Sequence, residues 1–233
     1  MKRVVKIGKK DLAASIFSNQ YIIILLLLPY FKTSGFDFIP GLSNLCNIML
    51  VVEFIVFWGI CVAERRITPF GNMILILQIW IYFVAPAISG AEVPSLFYLV
   101  GTLGMISFFE LGFSRYPDRL MKAVCKLFTI MILINAVIAV VRPQGLIEQD
   151  DASLYLFGLR TGFSLFIIPG ILFNLVEDKY NSKKKVWTVV TFFVGIFSIL
   201  NQWVVTGLVE LFVIIVMLVL FKQKKIAEKV NFV

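Results

Sequence analysis

Eight long apolar runs alternate with short polar segments along this chain. A helix needs roughly 20 apolar residues to cross about 30 Å of hydrocarbon, and this length predicts eight membrane-spanning helices. They cover about 12–31, 44–63, 71–89, 96–113, 122–141, 161–176, 186–201 and 203–221. The last two belong to one apolar run that is too long for a single span, so we expect the chain to turn near Asn201 and Gln202. The pattern predicts an all-α helical bundle, with residues 1–233 forming a single transmembrane domain.

The positions of the basic residues predict how this bundle is oriented. If the N-terminus is cytoplasmic, all of the 22 Lys and Arg residues except Lys32, Arg142 and Arg160 fall on the cytoplasmic side, as the positive-inside rule requires. An odd number of spans would break this alternation. No small-residue cleavage site follows the basic start MKRVVKIGKK, so we expect the first helix to be retained. We therefore predict a multi-pass protein of the cell (cytoplasmic) membrane with both termini in the cytoplasm.

Composition excludes several function classes. Hydrophobic residues make up 60% of the chain and the mean hydropathy is +0.93, which is typical of an integral membrane protein. The net charge of +8 does not indicate a nucleic-acid partner, because the basic residues lie in turns rather than on one face. Histidine is absent, and Cys46, Cys61 and Cys125 lie in apolar runs without metal-ligand spacing. We expect buried cysteines, no metal and no cofactor.

A few polar residues interrupt the predicted spans. Glu53 and Glu210 lie deepest, and each is either part of a proton or ion path, a site carboxylate, or a neutral glutamic acid that bonds helices together. Glu110 lies near a boundary, where we expect it to extend toward the inner surface. Asn135 and Asn174 are expected to form interhelical hydrogen bonds. Pro86 and Pro169 are expected to kink their helices.

The longest polar segment, 142–160, is the predicted outer loop and the candidate site. Arg160 is the first candidate, because a guanidinium at the membrane boundary can bind phosphate or carboxylate oxygens through two donors. The next residues, Thr161-Gly-Phe-Ser, begin a span and offer free backbone N–H groups to an anion. Gly158 and Gly162 flank Arg160 and allow a ligand to approach the backbone. The alternative is that Arg160 anchors a helix end to lipid headgroups.

Other residues near this loop leave two interpretations open. Tyr155, Phe157 and Trp203 are candidate platforms for sugar rings, or members of an interfacial aromatic belt. Asp150 and Asp151 resemble an acid/base pair, although a solvated acidic loop is the commoner explanation for adjacent aspartates.

Several short motifs occur in a familiar order. INAVIAVVRPQGL (134–146) is followed by YLFGLRTGFSLFIIPGI (155–171), a lysine-rich turn and WVVTGLVELFVIIVMLVL (203–220). The features that match, in chain order, are an Asn late in one span, Pro-x-Gly at its exit, Phe-Gly-x-Arg before the next span, a mid-helix Pro and a later Thr-Gly. Over about 120–221, the chain resembles the Wzy-type polysaccharide polymerases of the O-antigen ligase/polymerase superfamily, particularly those of Gram-positive capsule and exopolysaccharide clusters.

The resemblance implies a function on the outer face of the membrane. Such proteins are metal-independent glycosyltransferases that join oligosaccharide repeats carried on undecaprenyl diphosphate. Arg160 matches the Phe-Gly-x-Arg position and would act as the catalytic cation, because a preorganised cation stabilises a departing diphosphate. Arg142, Tyr155, Gly158, Thr161 and Gly162 would bind substrate. The implied partners are lipid-linked oligosaccharide, membrane lipids and other polysaccharide assembly proteins.

The chain departs from the family pattern at two points. Thr161 stands where family members commonly have Asn, and the chain stops after the Thr-Gly span, where relatives continue into a large outer loop and further spans. We therefore expect a C-terminally short member of the metal-independent membrane glycosyltransferases, and an incomplete or inactive form is left open beside an active one. The alternatives are a non-catalytic glycan-assembly membrane protein, or a small ion-coupled transporter in which Glu53 and Glu210 carry coupling protons.

Overall fold

The computed structural model describes residues 16–64, 68–90, 92–149, 152–159, 162–180, 185–201 and 204–216. Contacts between residues divide the chain into two compact units. Unit 1 comprises Met1–Lys32 and Ile39–Leu127, and unit 2 comprises Thr33–Phe38 and Phe128–Val233. The single transmembrane domain expected from the sequence stays a prediction.

Unit 1 is built from helices. They are α1 (Gln20–Leu27), which continues as a 3₁₀ helix (Leu28–Phe31), α2 (Leu42–Glu64), α3 (Pro69–Ile79), α4 (Ala85–Ser89), α5 (Leu96–Arg115) and the first part of α6 (Pro117–Val141). A π-helical turn, Trp80–Val84, joins α3 to α4. Pro86 is the second residue after this turn. Since Pro86 has no N–H to donate, the wider turn is a local response to the missing hydrogen bond.

The core of unit 1 forms where α2 packs on α5. The buried residues of α2 lie along one stripe, Cys46, Glu53, Phe57 and Cys61, as helical spacing requires. The ring of Phe108 lies at 5.0 Å from that of Phe57 and 5.3 Å from that of Phe17. This aromatic cluster fixes α2 and α5 side by side.

Two polar contacts fix the ends of the unit 1 helices. Arg115 forms an ion pair with Glu64. Glu110 accepts hydrogen bonds from the N–H of Thr68, at 2.9 Å, and from its hydroxyl, while that hydroxyl accepts from the N–H of Gly71. Glu110 therefore supports the N-terminal cap of α3, a role that sequence alone did not reveal.

Among the described residues, unit 2 contains a 3₁₀ helix (Ser34–Phe38), the second part of α6, a short hairpin and three α-helices. The hairpin strands are β1 (Ile147–Gln149) and β2 (Ala152–Leu154), which pair antiparallel with Ile147 opposite Leu154. The helices are α7 (Phe163–Tyr180), α8 (Lys185–Asn201) and α9 (Val205–Val216). The helix α7 packs on α8 and runs through Pro169. A Cβ on the adjacent Gly170 would lie 2.7 Å from Ile132 Cδ1, so glycine permits the close approach of α7 to α6.

The structure confirms a helical membrane protein and refines the predicted spans. Four helices of the described residues are long and apolar enough to cross a membrane: Leu42–Glu64, Gly71–Ser89, Leu96–Arg115 and Pro117–Val141. Shorter apolar helices lie at Gln20–Phe31, Val186–Asn201 and Val205–Val216. Helix α8 ends at Asn201 and α9 begins at Val205, while Gln202, the other residue of the predicted turn, lies outside the described residues. The first predicted span is interrupted at Asn19, which leaves the helical conformation and caps α1 by accepting a hydrogen bond from the N–H of Tyr21.

Candidate functional site

The candidate site begins where α6 ends. Arg142 donates its N–H to Ile138 at 2.7 Å, and Pro143 then stops the helix because it has no N–H to continue the ladder. The N–H of Gly145 donates to the carbonyl of Arg142 at 2.9 Å, which closes a four-residue turn with proline at its second position. Helix α6 therefore leads into a defined turn at the first residues of the polar segment.

The polar segment continues as the β1–β2 hairpin rather than as an irregular loop. Leu146 donates its N–H to Leu154 at 2.6 Å beside the paired strands. Gly145 has φ +88°, and a Cβ there would lie 2.7 Å from the Leu154 carbonyl oxygen. Glycine is thus required by both its conformation and the neighbouring strand. Asp150 and Asp151, which join the two strands, lie outside the described residues.

A second tight turn, 155–158, follows the hairpin. Tyr155 and Gly158 exchange backbone hydrogen bonds at 2.8 and 3.0 Å, and Gly158 has φ +82°. The hydroxyl of Thr33 donates to the carbonyl of Leu156, and the side-chain oxygen of Asn135 accepts from the N–H of Phe157 at 3.3 Å. Residues far apart in the sequence therefore hold both central residues of this turn.

Aromatic side chains of this turn are packed inside unit 2. Tyr155 is fully buried, and its hydroxyl donates to the carbonyl of Pro143, which ties the two turns together. Phe157 is 4% exposed and stacks on Phe166 at 4.7 Å between ring centroids, while Phe163 meets both Tyr155 and Phe157 edge to face. The structure thus places Tyr155 and Phe157 in the packing that supports the loop, and neither presents a ring at the surface.

The two glycines proposed for ligand approach contact the chain itself. Gly158 is buried in the 155–158 turn and supplies its left-handed residue. A Cβ on Gly162 would lie 3.0 Å from the carbonyl oxygen of Phe157. Both glycines are therefore explained by the local backbone. Arg160 and Thr161, between them, lie outside the described residues, as does Trp203.

Of the predicted substrate-binding residues that the structure describes, Arg142 is the exposed one. Its guanidinium carbon lies 5.9 Å from the centre of the Phe38 ring, a cation–π distance. A pocket of about 380 Å³ is lined by Val141, Arg142, Gln144, Gly145 and Leu146. The pocket thus has a guanidinium and the amide of the exposed Gln144 at its wall. Such donors suit a phosphate or carboxylate group.

Sequence reasoning did not single out Thr33 and Gly35, which hold this loop. A Cβ on Gly35 would lie 2.5 Å from Leu156 Cα and 2.8 Å from the Tyr155 carbonyl oxygen. The only available clue was the second-longest polar segment, FKTSGFDFIPGLSN, which contains both residues. Nothing in its local pattern specifies that it contacts residues 155–157.

Asn174 forms an interhelical hydrogen bond within unit 2, as expected, whereas the described hydrogen bond of Asn135 joins α6 to the 155–158 turn rather than to another helix. The Nδ2 of Asn174 donates to the hydroxyl of Thr129 at 3.3 Å and to the carbonyl of Gly170 at 2.8 Å. The hydroxyls of Thr129 and Thr191 lie 2.9 Å apart, so this buried network links α6, α7 and α8. These contacts bond helices in an apolar interior, which agrees with a structural role.

The two deep glutamates occupy different environments. Glu53 is 4% exposed within unit 1. Glu210 is exposed on α9, whose neighbouring residues Val209 and Phe212 are exposed as well. Among the described residues, no group of three or more His, Cys, Asp or Glu side chains is placed to hold a metal ion.

No protein-family model, no curated protein and no solved structure matches the chain.

Proposed function

We propose that this chain is a polymerase-like membrane protein of capsule or exopolysaccharide biosynthesis. It acts on oligosaccharide repeats carried on undecaprenyl diphosphate and contacts them with the polar segment 142–162. Arg142 and Arg160 bind the lipid diphosphate, and Arg160 stabilises the negative charge that develops as it departs. The proposal includes eight spans, two cytoplasmic termini and a place in the cytoplasmic membrane, so that this segment faces outward.

The exposed guanidinium of Arg142 beside an open pocket is the observation that carries this proposal. A rigid support surrounds it, since the hydroxyl of Tyr155 bonds the carbonyl of Pro143 and Gly145 packs on Leu154. A cation held on such a support loses little freedom when it binds a diphosphate. An arginine also binds phosphate oxygens through two donors, whereas a lysine offers a point charge.

Complementation tests the proposal. A strain that lacks the gene receives wild type, Arg160→Lys, Arg142→Gln, Arg142→Lys or the control Lys122→Arg, which changes an exposed basic residue near the other end of α6. We expect Arg160→Lys and Arg142→Gln to abolish long surface glycan, Arg142→Lys to shorten it, and Lys122→Arg to leave the chain-length distribution unchanged. Membrane levels of each variant are measured in parallel.

Two outcomes would contradict the polymerase proposal. In the first, all arginine variants restore the wild-type distribution. In the second, wild type itself restores no polymer while the protein is present in the membrane, which would favour the non-catalytic assembly alternative. The ion-coupled transporter has weaker support, because Glu210 is exposed on α9 and is not enclosed within unit 2.

A further inference from the structure

Unit 1 contains a buried carboxyl group that the proposed function does not use. Glu53 lies near the middle of α2, within the buried stripe that includes Cys46 and Phe57. It is 4% exposed, and neither of its carboxylate oxygens has a hydrogen-bond partner among the described residues. Buried polar atoms are nearly always paired, so each exception calls for an explanation.

A second unpaired polar group faces this carboxyl. The hydroxyl of Tyr30, in the 3₁₀ helix after α1, is buried and has no hydrogen-bond partner among the described residues. It lies beside the turn of α2 that carries Glu53, because a Cβ on Gly104 would meet both the Tyr30 oxygen, at 3.0 Å, and Phe54 Cα, at 3.4 Å. Gly104 of α5 provides the space, because a Cβ there would lie 3.0 Å from the Tyr30 oxygen. Three elements therefore enclose a small polar space that contains a carboxyl and a phenol.

The charged and titratable groups nearby are engaged with other partners. Lys32 follows the 3₁₀ helix and donates to the side-chain oxygen of Asn47 at 3.2 Å. On α5, Glu110 bonds Thr68 and Arg115 bonds Glu64, while Gly104 and Phe108 are the α5 residues that contact Tyr30.

An ionised carboxylate in an apolar interior is costly unless something neutralises it. A neutral carboxyl that served only to bond helices would be expected to donate a hydrogen bond. Among the described residues, the oxygens of Glu53 make no hydrogen bond and no ion pair. The arrangement instead suits a group that passes between its neutral and charged forms, with a hydroxyl close enough to donate to the charged form.

We propose that Glu53 and Tyr30 form a proton-exchange site within the membrane-embedded part of unit 1. The ligand of the site is one proton, which leaves a Glu53 carboxyl oxygen for water and returns to it from water. When the proton leaves, the Tyr30 hydroxyl turns toward the carboxylate and donates a hydrogen bond to it. The site links proton uptake to the packing of α2, α5 and the 3₁₀ helix. This inference is independent of the polymerase proposal, since none of its residues belongs to the 142–162 segment.

Infrared difference spectroscopy on the full chain in liposomes tests the site. Spectra are taken between mildly acidic and mildly alkaline buffer for wild type, Glu53→Gln, Tyr30→Phe and the control Glu210→Gln, which removes an exposed carboxyl from α9. We expect wild type to lose a protonated-carboxyl band in alkaline buffer. Glu53→Gln abolishes this band, Tyr30→Phe shifts the pH at which it disappears, and Glu210→Gln leaves it unchanged.

Carbodiimide labelling of wild type provides a second measurement, which does not depend on the folding of a variant. The reagent reacts with a protonated carboxyl, and mass spectrometry then reads the adduct on the peptide that carries Glu53. Labelling that decreases as the buffer becomes alkaline supports the site. The proposal is overturned if the Glu53 carboxyl remains protonated throughout, which makes it a structural contact, or if it is ionised throughout.

Discussion

Replacing Gly35 by alanine tests how the 155–158 turn is held. The new Cβ would lie 2.5 Å from Leu156 Cα, 2.7 Å from the Leu156 carbonyl oxygen and 2.8 Å from the Tyr155 carbonyl oxygen. All three atoms belong to the backbone, so no side-chain rotation relieves the overlap. Ordinary contact between carbon atoms requires about 3.5–4.0 Å, and the two segments must therefore separate by about 1 Å.

A separation of this size also removes a hydrogen bond. The Thr33 hydroxyl donates to the Leu156 carbonyl across the two segments, so their separation disrupts this bond. Overpacking costs about 1–3 kcal/mol, and the lost hydrogen bond adds about 0.5–1.5 kcal/mol. We expect Gly35→Ala to destabilise the packed turn by about 1.5–4.5 kcal/mol.

Thiol labelling measures this loss within unit 2. The native cysteines Cys46, Cys61 and Cys125 are all buried in unit 1, so they are replaced by alanine. A reporter thiol is introduced by Ser164→Cys, a position on α7 that is 2% exposed. If opening is rapid and reversible, labelling follows the population of the open state, and a loss of about 1.5 kcal/mol or more raises the rate by at least about tenfold.

Gly59→Ala is the matched control. Gly59 lies within α2, and a Cβ there meets no atom within 4 Å, so alanine is accommodated and favours the helix by up to about 1 kcal/mol. We expect this variant to label at the parent rate. If Gly35→Ala also labels at the parent rate, the proposed contact between residue 35 and the turn is refuted.

Two further substitutions probe polar contacts, one in each unit. Asn135→Ala leaves the N–H of Phe157 without its acceptor and should lower the stability of unit 2 by about 1–3 kcal/mol. Faster labelling of the Ser164→Cys reporter would reveal this loss. Labelling at the parent rate would show that the bond contributes nothing. Glu110→Ala removes the acceptor for Thr68 at the start of α3 and should cost about 1 kcal/mol. Labelling of native Cys61, with the other two cysteines replaced, should then accelerate about fivefold, and an unchanged rate would contradict the capping role.

The helices of this protein could largely be predicted from the sequence. Hydropathy and length are local properties, and they located the helices at 42–64, 71–89, 96–115 and 117–141 to within a few residues. They also indicated the division near Asn201. The first span was less accurate, because a single polar residue, Asn19, begins a new helix there by capping it. Apolar content alone does not reveal such a cap.

The candidate site depended more strongly on tertiary structure. The sequence identified the polar segment and Arg142, since charge within an apolar chain is visible without a fold. The sequence did not indicate that Tyr155 is buried. Nor did it indicate that Gly158 is needed for its left-handed backbone conformation and Gly162 for its close contact with the Phe157 carbonyl.

Local pattern specified the helices because their hydrogen bonds join residues four apart. The loop is held by a contact between Thr33 and Leu156, which are 123 positions apart. The approach of Tyr30 to Phe54 beside Gly104 likewise joins separate elements. Only the packed chain brings such residues together, because each contact depends on the positions of several helices at once.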